Sequence, residues 1–188
     1  MRKPYFDSGH ARTAKWRIVL PMMLPLFLMI SACSLFEGDP EGNAALATQL
    51  LSERRIAEAR LAINDAIEAR DDDPEFYLIS AQIELTAGSN EGAFNAFQNA
   101  MALDPTNIAA LLGVSQLGLQ LGRLTDASSA SERLLALNPR QTEALLVQGL
   151  IALLKRRNDE ALALADRVLE FAPSDEAGTI LKARIMFI

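Results

Sequence analysis

The chain has 188 residues, half of them apolar but only 6% aromatic, with 18 Lys/Arg against 24 Asp/Glu and a formal charge of −6. This length allows one domain or one short repeat array with a buried core. The acidic balance repels phosphate backbones and argues against nucleic acid as a partner, and a single Cys with a single His excludes an internal disulfide and a Cys/His metal set.

The charge is unevenly placed. Before Cys33 lie five cations (Arg2, Lys3, Arg12, Lys15, Arg17) and one acid, Asp7; from Cys33 onward 13 Lys/Arg face 23 Asp/Glu, a balance of −10. Residues 18–30, IVLPMMLPLFLMI, are apolar and uncharged. They fall short of the about 20 residues of a membrane span, and Pro21 and Pro25 weaken them further as a helix. A basic start, a short apolar middle and a small-residue end are the parts of a secretory signal.

That segment ends Ile30-Ser31-Ala32-Cys33, which resembles the bacterial lipobox. The resemblance implies that the Cys33 thiol takes a diacylglyceryl group, that the chain is cut before it, and that the new amine is acylated. The expected layout is a lipoprotein signal peptide over 1–32, then lipidated Cys33 and a short linker through 39. Ser34, rather than Asp, follows the cysteine. In enteric-type bacteria that implies an outer-membrane lipid anchor facing the periplasm; the periplasmic face of the inner membrane is the alternative. An uncleaved signal anchor is the competing reading, favoured by the long basic lead and by Ile30.

Residues 40–188 repeat. Alanines recur every 34 residues at Ala59, Ala93, Ala127 and Ala161, and small residues at Ala47, Ala81, Ser115, Gly149 and Ala183. Leucines do so at Leu51, Leu85, Leu119 and Leu153, and prolines at Pro105, Pro139 and Pro173. Ala and Leu favour helix, and no Asn-Gly or Asp-Gly hairpin signal argues for strands. The period and pattern resemble the tetratricopeptide repeat, a helix–turn–helix unit. The implied fold is all-α: a right-handed superhelical α-solenoid over 40–188. Its units are 40–73, 74–107, 108–141 and 142–175, with 176–188 the first helix of a fifth.

Small residues in the first and second helices let the paired helices approach closely. Proline ends the second helices. Gly88 and Gly122 fall in the turns within units two and three, where a left-handed residue is useful. Arg54-Arg55 and Lys155-Arg156-Arg157 take that place in units one and four and read as solvated helix ends. The sequence departs from the family where large aromatics are expected. Only Tyr77 fills the first-helix place, and only Phe97 the second-helix place, against Ile63, Ser131 and Ala165 elsewhere. With Ser128, Ser129 and Ser131, unit three reads as thinly packed. The last segment, ARIMFI, is apolar where a capping helix is usually polar. We expect a parent chain that continues, or a partner that covers it.

In the family, the first helices line the concave face. Residues four and three apart share a stripe there: Leu78, Gln82 and Leu85; Leu112, Gln116 and Leu119; Leu146, Leu150 and Leu153, with Gln120 and Leu154 beside them. No run of Lys, Arg and Asn is present to clamp a partner's C-terminal carboxylate, as some family members do. Leucines with glutamines suit an apolar or amphipathic peptide segment, although a leucine stripe also reads as core. The acidic runs, Asp71–Asp73 and Asp159-Glu160, read as helix caps. A mature chain without His or free Cys supplies no catalytic set, and no cofactor or metal is expected. The expected partner is a protein of an envelope assembly, such as pilus, outer-membrane or exopolysaccharide export machinery. The alternative is a homodimer through the apolar final helix.

Overall fold

The structure, a computed structural model, describes residues 39–187; the signal-like segment, the lipobox and Cys33 lie outside them. Among the described residues are nine helices and no strand. They are α1 Pro40–Ser52, α2 Ile56–Ala69, α3 Pro74–Thr86, α4 Asn90–Leu103, α5 Ile108–Gln120, α6 Leu124–Leu137, α7 Thr142–Leu154, α8 Asn158–Phe171 and α9 Glu176–Met186. Each odd-numbered helix packs on the even-numbered helix that follows, and each even-numbered helix packs on the next pair. The result is a solenoid of helical hairpins.

Local chemistry sets the helix ends. Asp39, Asp73, Asn107 and Asp175, in one 34-residue column, start α1, α3, α5 and α9. Their side chains accept from the backbone N–H of Gly42, Glu75, Ala110 and Gly178, at 2.9, 2.9, 3.0 and 2.6 Å. Each satisfies an otherwise orphaned donor. Gln141 holds the same place before α7 and makes no such bond. Gln141→Asp is therefore expected to raise stability by about 1 kcal/mol, read as a higher urea midpoint at unchanged slope.

The turns inside the four hairpins share one geometry. After α1, Arg54 N–H donates to Leu51 C=O and Arg55 N–H to Leu50 C=O. The same pair of bonds closes α3, α5 and α7 at Gly88/Ser89, Gly122/Arg123 and Arg156/Arg157. This is the Schellman closure, which needs a left-handed residue. Arg54, Gly88, Gly122 and Arg156 supply it, with φ of 62, 77, 75 and 59°. A Cβ at Gly122 would meet nothing within 4 Å, so Gly122→Ala tests the backbone term alone. We expect a loss of about 1 kcal/mol. The reverse change, Arg156→Gly, should not destabilise; thermal melts of both variants check the pair.

The recurrent alanines are contact points. Ala59, Ala93, Ala127 and Ala161 are fully buried, as are Ala47, Ala81 and Ser115. Gly149 is buried too, and a Cβ there would lie 2.6 Å from Leu181 of α9. Phe94, Leu111, Val114 and Leu134 form a core shared by units two and three. The serines of unit three are not a packing gap. Ser131 is fully buried and its hydroxyl donates to Ala127 C=O at 2.7 Å. Gln148 of α7 donates to Ser131 Oγ at 2.7 Å and to Ser128 C=O at 3.0 Å. A polar bridge thus replaces apolar bulk between α6 and α7, with its buried groups satisfied.

Ion pairs sit on the outside. Arg70 joins the first two units: it bonds Glu41 at 2.5 Å and Asp73 at 2.8 Å and lies over the Phe76 ring at 4.9 Å. Hydrogen bonding to Glu41 first, then the nearby acids, holds its guanidinium above the ordinary Arg range. Glu160 of the second acidic run pairs with Arg157 at 3.3 Å.

Candidate peptide-binding groove

Neighbouring first helices usually meet in this array: α1 packs on α3, α5 on α7, and α7 on α9. No comparable seam joins α3 to α5. Between them opens a cavity of about 570 Å³. Its walls are Leu78, Gln82 and Leu85 of α3 and Ala109, Leu112, Gly113, Gln116, Leu117 and Gln120 of α5; Asn90 and Phe97 of α4 complete it.

Two non-periodic residues meet at the opening. Phe97 is a large ring where the other second helices hold Ile63, Ser131 and Ala165. Gly113 is the residue α5 sets against it: a Cβ at Gly113 would fall 2.3 to 2.6 Å from the Phe97 ring. The bare backbone of α5 therefore receives the ring. The corresponding first-helix residues are Ile79, Val147 and Leu181. Bulk has moved from the first helix to the second in this one place, and the ring forms part of the cavity wall.

The lining is uncharged and mainly apolar. Its polar groups are four carboxamides, Gln82, Asn90, Gln116 and Gln120. All four residues are exposed, and none of these side chains bonds another of the described residues. The acid in α3 nearest Leu85 is Glu84, and it is engaged elsewhere. Arg60 of α2 donates to its two carboxylate oxygens at 2.6 and 2.9 Å. That pairing, hydrogen bond first and charge second, raises the Arg60 pKa above its ordinary value. No group that titrates near neutral pH faces the cavity.

Of the residues expected on the concave stripe, six meet here: Leu78, Gln82, Leu85, Leu112, Gln116 and Gln120. The other four line no part of this cavity. Leu119 packs with Ala127, Val147 and Ile151. Leu146, Leu150 and Leu153 pack on Ala152, Ala161, Ala165 and Leu181. These four are partly buried by that packing. Leu154 stands beside them at 63% exposure. Asn90, Phe97, Ala109, Gly113 and Leu117 were outside the expected stripe. Their signal in the sequence is Phe97, the one aromatic in its column of Ile63, Phe97, Ser131 and Ala165.

The helical hairpins and their 34-residue period define a repeat solenoid. The tetratricopeptide repeat family matches residues 44–108 and 115–176, and the chain belongs to that family. Such repeats bind protein partners and are generally non-enzymatic scaffolds. No curated protein matches the chain. Among solved structures, it is similar to a tetratricopeptide repeat protein from Parabacteroides merdae, at 20% identity and a TM-score of 0.69, covering 78% of this chain and 58% of that one. The chain thus spans little more than half of that protein's length. It is also similar to YrrB, described as a TPR protein with an unusual peptide-binding site, at 16% identity and a TM-score of 0.70, covering 84% and 81%. MamA is similar at 16% identity and a TM-score of 0.69, covering 79% and 86%. At these identities the likeness concerns the fold.

Proposed function

We propose that the protein is a membrane-tethered interaction scaffold of the bacterial periplasm. The lipobox at Ile30-Ser31-Ala32-Cys33 supports a lipid anchor on Cys33, and Ser34 supports the outer membrane over the inner. Several acyl chains hold a protein far more firmly than one, because each buried CH₂ adds about 0.8 kcal/mol. The α3–α5 groove then presents an apolar or amphipathic peptide site to a subunit of an envelope assembly. The observation that carries this reading is the open seam itself. Its leucines and Phe97 face a cavity of ligand size, in the range of about 300–1,000 Å³, where neighbouring first helices elsewhere close on each other.

The tether is tested by intact mass of the membrane-extracted protein; a chain starting at Cys33 with fatty modification is expected, and an unmodified thiol would refute it. The groove is tested by Leu85→Glu with Gln116→Glu, both at exposed positions. The pair should abolish partner binding while leaving the thermal melt within about 1 °C of wild type, since exposed substitutions change stability little. Unchanged binding would refute the groove.

A second reading has its own observation. Ile180, Met186 and Phe187 are 56, 71 and 91% exposed. Ala183, in the small-residue column buried elsewhere, is exposed on α9. This face would serve self-association. Sedimentation that shows a concentration-dependent dimer, lost in Met186→Glu, would favour it.

A further inference from the structure

We infer that the α3–α5 groove takes an internal, uncharged peptide segment that drives one bulky apolar side chain between the two helices, against the Phe97 ring. The inference rests on the reading of this groove as a peptide site and specifies what the peptide must be.

Three observations carry it. First, the gap is local. Phe97 against bare Gly113 occurs in one seam only, so a single anchor is expected rather than one per repeat. Second, the lining contains no ionisable side chain, and Glu84 beside it is bound by Arg60. A charged group entering the seam would lose water without gaining a counter-charge. This applies to a Lys, Arg, Asp or Glu side chain and to a terminal carboxylate alike. The occupant therefore enters by the middle of a chain and is neutral where it touches. Third, Gln82 and Gln116 stand one repeat apart on opposite walls, with Gln120 a turn further and Asn90 on α4. Each carboxamide offers both a donor and an acceptor, and none is used within the described residues. A peptide segment flanking the anchor presents unpaired N–H and C=O groups that these amides can satisfy.

The test uses the full chain in detergent and random peptides displayed within a loop of a phage coat protein, so that neither peptide end is free. Enriched sequences should share one Trp, Phe, Leu or Met with uncharged neighbours. A synthetic copy with both ends blocked should bind with an affinity nearly constant from about 0.05 to 0.5 M salt. It should weaken by about tenfold or more when the anchor becomes Ala. Gly113→Ala, which pushes on the Phe97 ring, should weaken it similarly. Should that variant fold poorly, Gln116→Glu on the exposed rim provides the same comparison without touching the core.

Peptides that bind this groove, as judged by loss in Leu85→Glu, but require a charged residue would overturn the inference alone, as would a synthetic copy that binds about tenfold or more tightly with its C-terminal carboxylate free than with both ends blocked. So would affinity that falls steeply with salt. If no peptide is enriched, or if binding ignores Leu85→Glu, both the inference and the groove's proposed role fall.

Discussion

Phe94→Ala is expected to cost about 3–5 kcal/mol, a large share of the stability of any array this size. The ring is fully buried and sits in the core that joins Leu111 and Val114 of α5 to Leu134 of α6. The guanidinium of Arg123 also lies over it at 4.6 Å, in the turn before α6, and Arg123 is paired to Glu91. Truncation thus leaves a cavity and frees the cation that pins that turn. Because each repeat is stabilised chiefly by its neighbours, the damage should spread from unit two into unit three. Urea unfolding followed by circular dichroism should show a lower midpoint and a broader transition than wild type. Phe94→Leu, which keeps most of the volume, should cost less than about half as much. A loss under about 1 kcal/mol for the alanine variant would contradict the assigned core.

Ala127→Leu is the second large effect, and it acts by excess rather than loss. Ala127 is fully buried in the first turns of α6. A Cβ placed on Gly118 of α5 would already lie 3.2 Å from the Ala127 Cβ and backbone nitrogen. Three more carbons cannot fit without parting α5 from α6. We expect a loss of about 3 kcal/mol, the upper end for overpacking. Ala183→Leu is the control: it is the same substitution, on exposed α9, and should stay within about 0.5 kcal/mol of wild type. Equal effects at the two positions would mean that the buried alanine columns are not close-contact points.

The repeating parts of this fold were legible because they answer the same physical demand in every unit. The alanine columns mark close helix contacts, and Gly88 and Gly122 mark left-handed turns. At Arg54 and Arg156 the demand persists although the residue does not advertise it, since a non-glycine adopts positive φ only when the surrounding closure requires it. The groove was only half legible for the same reason. A 34-residue stripe treats Leu112, Leu119, Leu146 and Leu153 as equivalents. Their fates differ because of non-repeating neighbours. Leu181 reaches in beside Gly149 and helps bury the leucines of α7, whereas Phe97 set against bare Gly113 forms part of the wall of the open α3–α5 seam. Phe97 stands out as a departure from pattern, and it lines the cavity as well as changing the packing. The serines of unit three show the converse: an apparent gap filled by Gln148, a residue of the next repeat.

Backbone hydrogen exchange of the full chain, with and without a saturating groove-binding peptide, tests the central claim most directly. Slower exchange confined to 78–90, 97 and 109–120 is the result expected if the α3–α5 seam is the binding site. Protection centred on α7, around Leu146–Leu153, with the α3–α5 seam unchanged would contradict it.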